Sequence, residues 1–81
     1  MIGTQIALLR KGKGMSQAQL AEAMHISPST IGMYEQGRRK PDLDMVIAMA
    51  LLFDTSVDYL CTGKERHNTG MEATRMELAK M

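Results

Sequence analysis

Residues 16–37 read SQAQLAEAMHISPSTIGMYEQG, and this stretch decides the fold of the chain. It contains two short helical patterns, over residues 17–24 and 28–36, with very little sequence between them. Helices joined by so short a link must cross at a large angle, because the chain has no room to turn back antiparallel. Such a crossing needs a small residue where the helices touch, and Ala21 is placed to supply it. The stretch therefore predicts a helix-turn-helix.

Both helices of this motif have clear start signals. Ser16 and Gln19 form a capping box, in which each side chain bonds to the backbone N–H of the other residue. Ser27 precedes Pro28, and proline is favoured in the first turn because its missing N–H would have no partner there. The residues predicted to face inward are Leu20, Ala21, Met24, Ile26, Ile31 and Tyr34.

Three further helices are predicted around the motif, over residues 4–11, over 42–53, and in a short segment that begins after Ser56 and ends before Gly63. No strand pattern and no internal repeat is present. The helix over 42–53 is apolar on nearly every side, and we expect such a helix to be buried all round. The inward residues predicted for these last two helices are Leu43, Val46, Ile47, Met49, Ala50, Phe53, Val57, Leu60 and Cys61.

Length and composition set limits on the kind of protein. The 81 residues are enough for one small domain, and the net charge is only +1. A single cysteine excludes an intramolecular disulfide and suits a reducing cytoplasm. No apolar run is long enough to span a membrane. We expect one domain over residues 1–63, followed over 64–81 by a polar linker and a tail in which a capping box predicts a helix.

The chain resembles the phage-repressor and Cro type of helix-turn-helix regulators, often called the XRE family. The resemblance rests on LRKGKGMSQAQLAEAM at 9–24, ISPSTIGMYEQGRRKP at 26–41 and FDTSVDYL at 53–60, in that order. It implies an all-α, five-helix, lambda-repressor-like domain that binds double-stranded DNA sequence-specifically, usually as a homodimer on a palindromic operator. His25 and Asp54 stand where relatives often have glycine, and both residue types tolerate a left-handed backbone.

The outward side of the second helix of the motif is the candidate for reading base edges in the DNA major groove. None of its residues is an Arg or Asn that would give a sharp bidentate preference, so we expect modest direct readout, helped by DNA shape. For the two hydroxyl side chains the alternative is helix capping alone. Gly32 adds nothing to this surface. The predicted base-contacting residues are Pro28, Ser29, Thr30 and Met33.

Polar and basic residues around this helix are candidates for binding phosphates. Gln17 lies at a helix start, where free backbone N–H groups favour an anion, and the family resemblance points the same way. The basic run over residues 38–40 follows the second helix of the motif, and it could instead be a solvated charge cluster. Lys11 and Lys13 could meet phosphate from another side. The predicted phosphate-contacting residues are Ser16, Gln17, Gln36, Arg38, Arg39 and Lys40.

The resemblance also implies a structural role for two charged residues. Arg10 and Glu35 match positions that commonly form a partly buried ion pair in this family. If Arg10 is paired in this way, it fixes the second helix of the motif against the first helix of the domain. It is then not a DNA contact.

No set of residues predicts an enzyme, a metal site or a cofactor. His25 and His67 are far apart, and Cys61 is expected to be an inert buried thiol. The favoured function is a cytoplasmic DNA-binding transcriptional regulator, expected to be a repressor. The alternative is a regulator of antitoxin type whose main partner is a protein. The residues predicted to form the dimer interface or to dock the tail are Met45, Ala48, Leu51 and Leu52.

Overall fold

The computed structural model describes residues 1–64, and this part of the chain is helical, without a strand. The predicted all-α, five-helix fold is therefore confirmed. Residues 65–81, which carry most of the predicted linker and the predicted tail helix, lie outside the described residues. None of the described helices is long and apolar enough to cross a membrane. The five helices are α1 (Ile2–Gly12), α2 (Gln17–Met24), α3 (Pro28–Gln36), α4 (Leu43–Leu52) and α5 (Val57–Thr62).

The observed caps explain why α2 and α3 begin where the sequence predicts. The Gln19 backbone N–H donates to Ser16 Oγ at 3.0 Å, and the Ser16 N–H donates to Gln19 Oε1 at 2.8 Å. At α3, the Thr30 N–H donates to Ser27 Oγ at 3.2 Å. Each cap satisfies a backbone donor that has no partner within the helix.

The turn between α2 and α3 has the backbone that the sequence predicts. His25 adopts a left-handed conformation with φ of 61°, and Asp54 does the same after α4 with φ of 54°. The Ile26 N–H then donates to the Ala21 carbonyl at 2.9 Å, which closes the end of α2. Ala21 itself is 1% exposed, as a small residue at the helix crossing must be.

The core lies between all five helices. Fully buried side chains come from every helix: Ile6, Leu20, Ile31, Met49 and Leu60. Other residues of the motif that are predicted to face inward pack partly against this cluster, among them Met24 and Ile26. The helix-turn-helix therefore packs through its inward side against a core that α1, α4 and α5 complete.

Four residues predicted to be buried are exposed. Leu43 is 68% and Ile47 is 42% exposed, because α4 packs against α2 and α5 on one side only. The prediction that an all-apolar α4 is buried all round is therefore wrong for residues 1–64. Val57 and Cys61 are also exposed, since only Leu60 of the short α5 points fully into the core.

The close approach of α1 to α3 depends on a glycine that lies before the predicted start of α1. A Cβ added at Gly3 would lie against the Tyr34 carbonyl oxygen and 2.9 Å from that of Glu35. Both atoms belong to the α3 backbone, so no side chain can move aside to make room. The first turn of α1 is thus packed directly on the last turn of α3.

We expect Gly3→Ala to lower the free energy of unfolding by about 2–3 kcal/mol, because the added methyl group must push two helices apart. Urea unfolding measures this change. Gly12→Ala is the matched control, since nothing lies within 4 Å of a Cβ at the other end of the same helix. Equal stability of the two variants would show that α1 and α3 are not in backbone contact.

Candidate nucleic-acid interface

Arg10 and Glu35 form an ion pair that joins α1 to α3. Arg10 Nε donates to Glu35 Oε2 at 2.6 Å, and Nη2 donates to Oε1 at 3.1 Å. The two side chains are only 10% and 9% exposed. This bidentate geometry suits the planar guanidinium and fixes the last turn of α3 against the end of α1.

The ion pair extends to α2 through contacts that the sequence does not predict. Gln17 Nε2 donates to Glu35 Oε1 at 3.0 Å, and Arg10 Nη1 donates to the Met15 carbonyl at 2.8 Å. Met15 lies immediately before the cap of α2. The Arg10–Glu35–Gln17 network therefore links the end of α1, the start of α2 and the end of α3. No sequence spacing signals it, because only the helix crossing brings these residues together.

The network shifts the ionisation of both charged members. Burial alone would raise the pKa of Glu35. Hydrogen bonds from Arg10 and Gln17, together with the positive charges of Arg10 and Lys11, outweigh burial and hold that pKa below its ordinary value of 4.5. The hydrogen bond to Glu35 raises the pKa of Arg10 in the same way, against the opposing effect of burial. Both groups are thus stabilised in their charged forms.

The lowered pKa of Glu35 predicts an acid-sensitive contribution to stability. Because the unfolded chain binds the proton more readily, this contribution is full above the unfolded-state pKa and is lost as pH falls through the folded-state pKa. We expect Glu35→Gln to reduce the pH dependence of the free energy of unfolding between about pH 3 and pH 6. Glu22→Gln, at an exposed glutamate of α2, is the control. A pH dependence that Glu35→Gln leaves unchanged would contradict this assignment.

The predicted base-contacting residues lie in the first two turns of α3 and differ in exposure. Pro28 and Ser29 are exposed, whereas Thr30 and Met33 are half-buried. The hydroxyls of Ser29 and Thr30 lie 3.1 and 2.9 Å from Ser27 Oγ, so both take part in the helix cap. Base contact by these two residues remains a prediction, while the capping alternative has direct geometric support.

The predicted phosphate-contacting residues are all on the surface. Ser16 uses its hydroxyl in the cap of α2, and Gln17 is held by Glu35. The basic loop, residues 38–40, follows the left-handed Gly37, and the N–H of Arg38 donates to the Met33 carbonyl at 2.9 Å. The end of α3 thus fixes the start of the basic loop. The remaining members of the group, all exposed, are Gln36, Arg38, Arg39 and Lys40.

The residues predicted for dimerisation or tail docking are not equally exposed. Leu51 is 77% exposed, and Ala48 is half-buried. Met45 and Leu52 pack partly against the core. The exposed apolar residues of α4 are instead spaced four apart, which places them on one side of the helix. We call this set the α4 stripe: Leu43, Ile47 and Leu51.

Charges are distributed unevenly over the surface. Lys11 is exposed in the last turn of α1, Lys13 is exposed directly after that helix, and the basic loop follows α3. Three of the five exposed acidic residues within residues 1–64 lie on α4 or at its ends, namely Asp42, Asp44 and Asp54. The other two are Glu22 of α2 and Asp58 of α5. The surface around α3 therefore attracts an anion more strongly than the surface around α4 does, although net charge is close to zero.

Comparison with known proteins agrees with this fold. A family model described as helix-turn-helix matches residues 6–60. The uncharacterized HTH-type transcriptional regulator YobD of Bacillus subtilis is 44% identical over 52 residues, which cover 64% of this chain and 46% of YobD. The HTH-type transcriptional regulator AnsR of the same organism is 35% identical over 68 residues, 84% of this chain and 59% of AnsR.

A third relative, the HTH-type transcriptional activator BcrR of Enterococcus faecalis, is 30% identical over 73 residues, 90% of this chain and 36% of BcrR. The chain thus spans less than two thirds of the length of each of these relatives. The helix-turn-helix on a five-helix frame defines the class of the protein. The chain belongs to the helix-turn-helix family of the phage-repressor, or XRE, type, which confirms the resemblance found in the sequence.

Proposed function

We propose that the chain binds double-stranded DNA sequence-specifically and regulates transcription, with α3 in the major groove. The observation that carries this proposal is the uncharged, partly exposed outward side of α3, with exposed basic residues nearby, at the end of α1 and after α3 itself. An α-helix fits the major groove, and basic residues beside it bind the phosphates that border the groove. The names of the three relatives, all transcriptional regulators, support the same function.

We further propose that the chain binds a palindromic operator as a homodimer. The bound dimer would exclude the transcription machinery and so repress transcription. Two copies related by a two-fold axis would place their α3 helices about 34 Å apart, one turn of DNA. The α4 stripe is the proposed contact between the copies, since apolar side chains as exposed as Leu43 and Leu51 gain most from being covered. The exposed Asp42 and Asp44, at the start of α4, would repel phosphates and so favour a place for the stripe away from the DNA.

Sedimentation of the full chain tests the dimer. We expect a dimer at micromolar concentration and a monomer after Leu51→Lys, because a charge in the interface would be desolvated on association. Leu8→Lys is the matched control, since Leu8 is an exposed leucine of α1 that lies off the stripe. A monomer at high micromolar concentration for the unchanged chain would contradict the dimer.

A second candidate function is docking to another protein, as an antitoxin does. The same α4 stripe favours it, because a partner chain could cover these residues in place of a second copy. Copurification of a tightly bound protein without retention on DNA would favour this function.

For both candidate functions we propose that the protein acts in the cytoplasm, that it is not an enzyme and that it needs no cofactor. Within residues 1–64, no three His, Cys, Asp or Glu side chains are grouped to hold a metal.

Selection of bound sequences from random duplex DNA tests the proposed function. We expect enrichment of one sequence made of two inverted half-sites, with α3 of each copy on one half-site. Recovery of a single unrepeated half-site would contradict the dimeric arrangement. A selected pool with no enriched sequence would contradict sequence-specific binding.

A further inference from the structure

The outward side of α3 has no side chain at its middle, where Gly32 lies, and the side chain of Gln17 covers this position. A Cβ added at Gly32 would be 3.8 Å from Gln17 Oε1 and 3.9 Å from Gln17 Nε2. Both amide atoms are thus in van der Waals range of the place that a side chain of α3 would occupy. The amide comes from α2 but lies on the surface that faces the DNA in the proposed complex.

Glu35 fixes the orientation of the Gln17 side-chain amide. Gln17 Nε2 donates to Glu35 Oε1 at 3.0 Å, and an ionised carboxylate can only accept hydrogen bonds. The nitrogen of the amide must therefore face Glu35, which Arg10 holds in place through two further hydrogen bonds. One N–H of the Gln17 amide and its carbonyl oxygen remain for a ligand, in a set orientation.

We infer that Gln17 determines specificity by contacting a base pair in place of the side chain that Gly32 lacks, with Glu35 as the positioning residue. This inference rests on the proposed function and deepens it. An amide presents one donor and one acceptor side by side, the pattern that matches N7 and N6 of adenine in the major groove. The base pair that Gln17 contacts is thus A·T. This contact differs from the phosphate contact predicted for Gln17 from the sequence.

Selection from random duplex DNA with the full chain and with Gln17→Ala tests the inference. We expect the unchanged chain to prefer A·T at one position in each half-site, and Gln17→Ala to reduce discrimination there by roughly tenfold. Preferences at all other positions should persist. Gln5→Ala is the matched control, because Gln5 is a glutamine of α1 that lies beside Gly63 at the end of α5, outside the proposed DNA-binding surface, and its loss should leave the preference at every position unchanged.

Two outcomes would overturn the inference, and they have different meanings. If Gln17→Ala weakens binding to all sequences alike and flattens the salt dependence, Gln17 binds a phosphate and reads no base. In that case the proposed function stands. If the unchanged chain enriches no sequence at all, the proposed function fails and the inference fails with it.

Substitutions at Gly32 and Glu35 test the geometry behind the inference. Gly32→Ala should keep the A·T preference, because a methyl group fits beside the amide at 3.8 Å. Gly32→Leu should change the preference at the same position, since the longer side chain must displace the amide. Glu35→Gln should relax that position too, because a neutral amide can donate as well as accept and no longer fixes the Gln17 nitrogen. An unchanged preference in Gly32→Leu would overturn the proposed placement of the Gln17 amide beside Gly32. Thermal unfolding measures whether each variant is folded.

Discussion

Replacing Arg10 with Met should lower the free energy of unfolding by about 3–5 kcal/mol, an amount comparable with the whole stability of a small domain. The Glu35 side chain, which is 9% exposed beside Arg10, loses its cation, and the uncharged amide of Gln17 cannot neutralise it. The substitution also removes the donor to the Met15 carbonyl. A buried charge without a counterion carries a large desolvation cost. Urea unfolding at neutral pH measures the change.

A double-mutant cycle separates the ion pair from the packing of the Arg10 side chain. We expect Arg10→Met with Glu35→Met to be less destabilised than Arg10→Met alone, because two apolar side chains leave no stranded charge. Lys11→Met, at an exposed neighbouring position, is the control for removing a positive charge. Additive effects of the two single substitutions would contradict the coupling of α1 to α3 through this pair.

Replacing both Arg38 and Arg39 with Ala should weaken binding to every DNA sequence by at least about tenfold while leaving the order of preference unchanged. Phosphate contacts carry no sequence information, so removing them acts on all duplexes alike. The slope of log affinity against log salt should flatten by about 0.9 for each phosphate that the variant no longer binds. Fluorescence anisotropy with a labelled duplex at several salt concentrations measures both quantities.

Lys64→Ala is the matched control for the removal of positive charge, since Lys64 lies beyond α5 and outside the basic loop. It should leave both affinity and salt slope nearly unchanged. If Arg38→Ala with Arg39→Ala behaves like this control, the basic loop does not contact DNA. The alternative interpretation of the run as a solvated charge cluster would then be correct.

The sequence predicts the helix-turn-helix well because its determinants are local. The bounds of α2 and α3 agree with prediction since Ser16 and Ser27 accept the hydrogen bonds that start them. The sequence predicts that α1 begins at residue 4, but the helix begins at Ile2. Met1 provides no side-chain cap that would mark this start. Gly3 also disfavours a helix in the sequence, because its close contact with α3 cannot be known from the sequence.

Burial on α4 and the contacts of the site depend on distant parts of the chain. An apolar sequence cannot show which side its neighbours cover, so Leu43 and Ile47 are predicted to be buried and are in fact exposed. The Arg10–Glu35 pair can be predicted only from the family resemblance. Nothing in the sequence predicts that Gln17 reaches across Gly32 to Glu35, because eighteen positions separate Gln17 from its acceptor.

Competition between the selected operator and a scrambled duplex of equal length and composition measures directly whether the surface around α3 distinguishes DNA sequences. At physiological salt we expect the operator to be bound at least about a thousandfold more tightly than the scrambled duplex. Both affinities should fall as salt is raised, since phosphate contacts contribute to each. Equal affinity for the two duplexes would contradict sequence-specific recognition by α3.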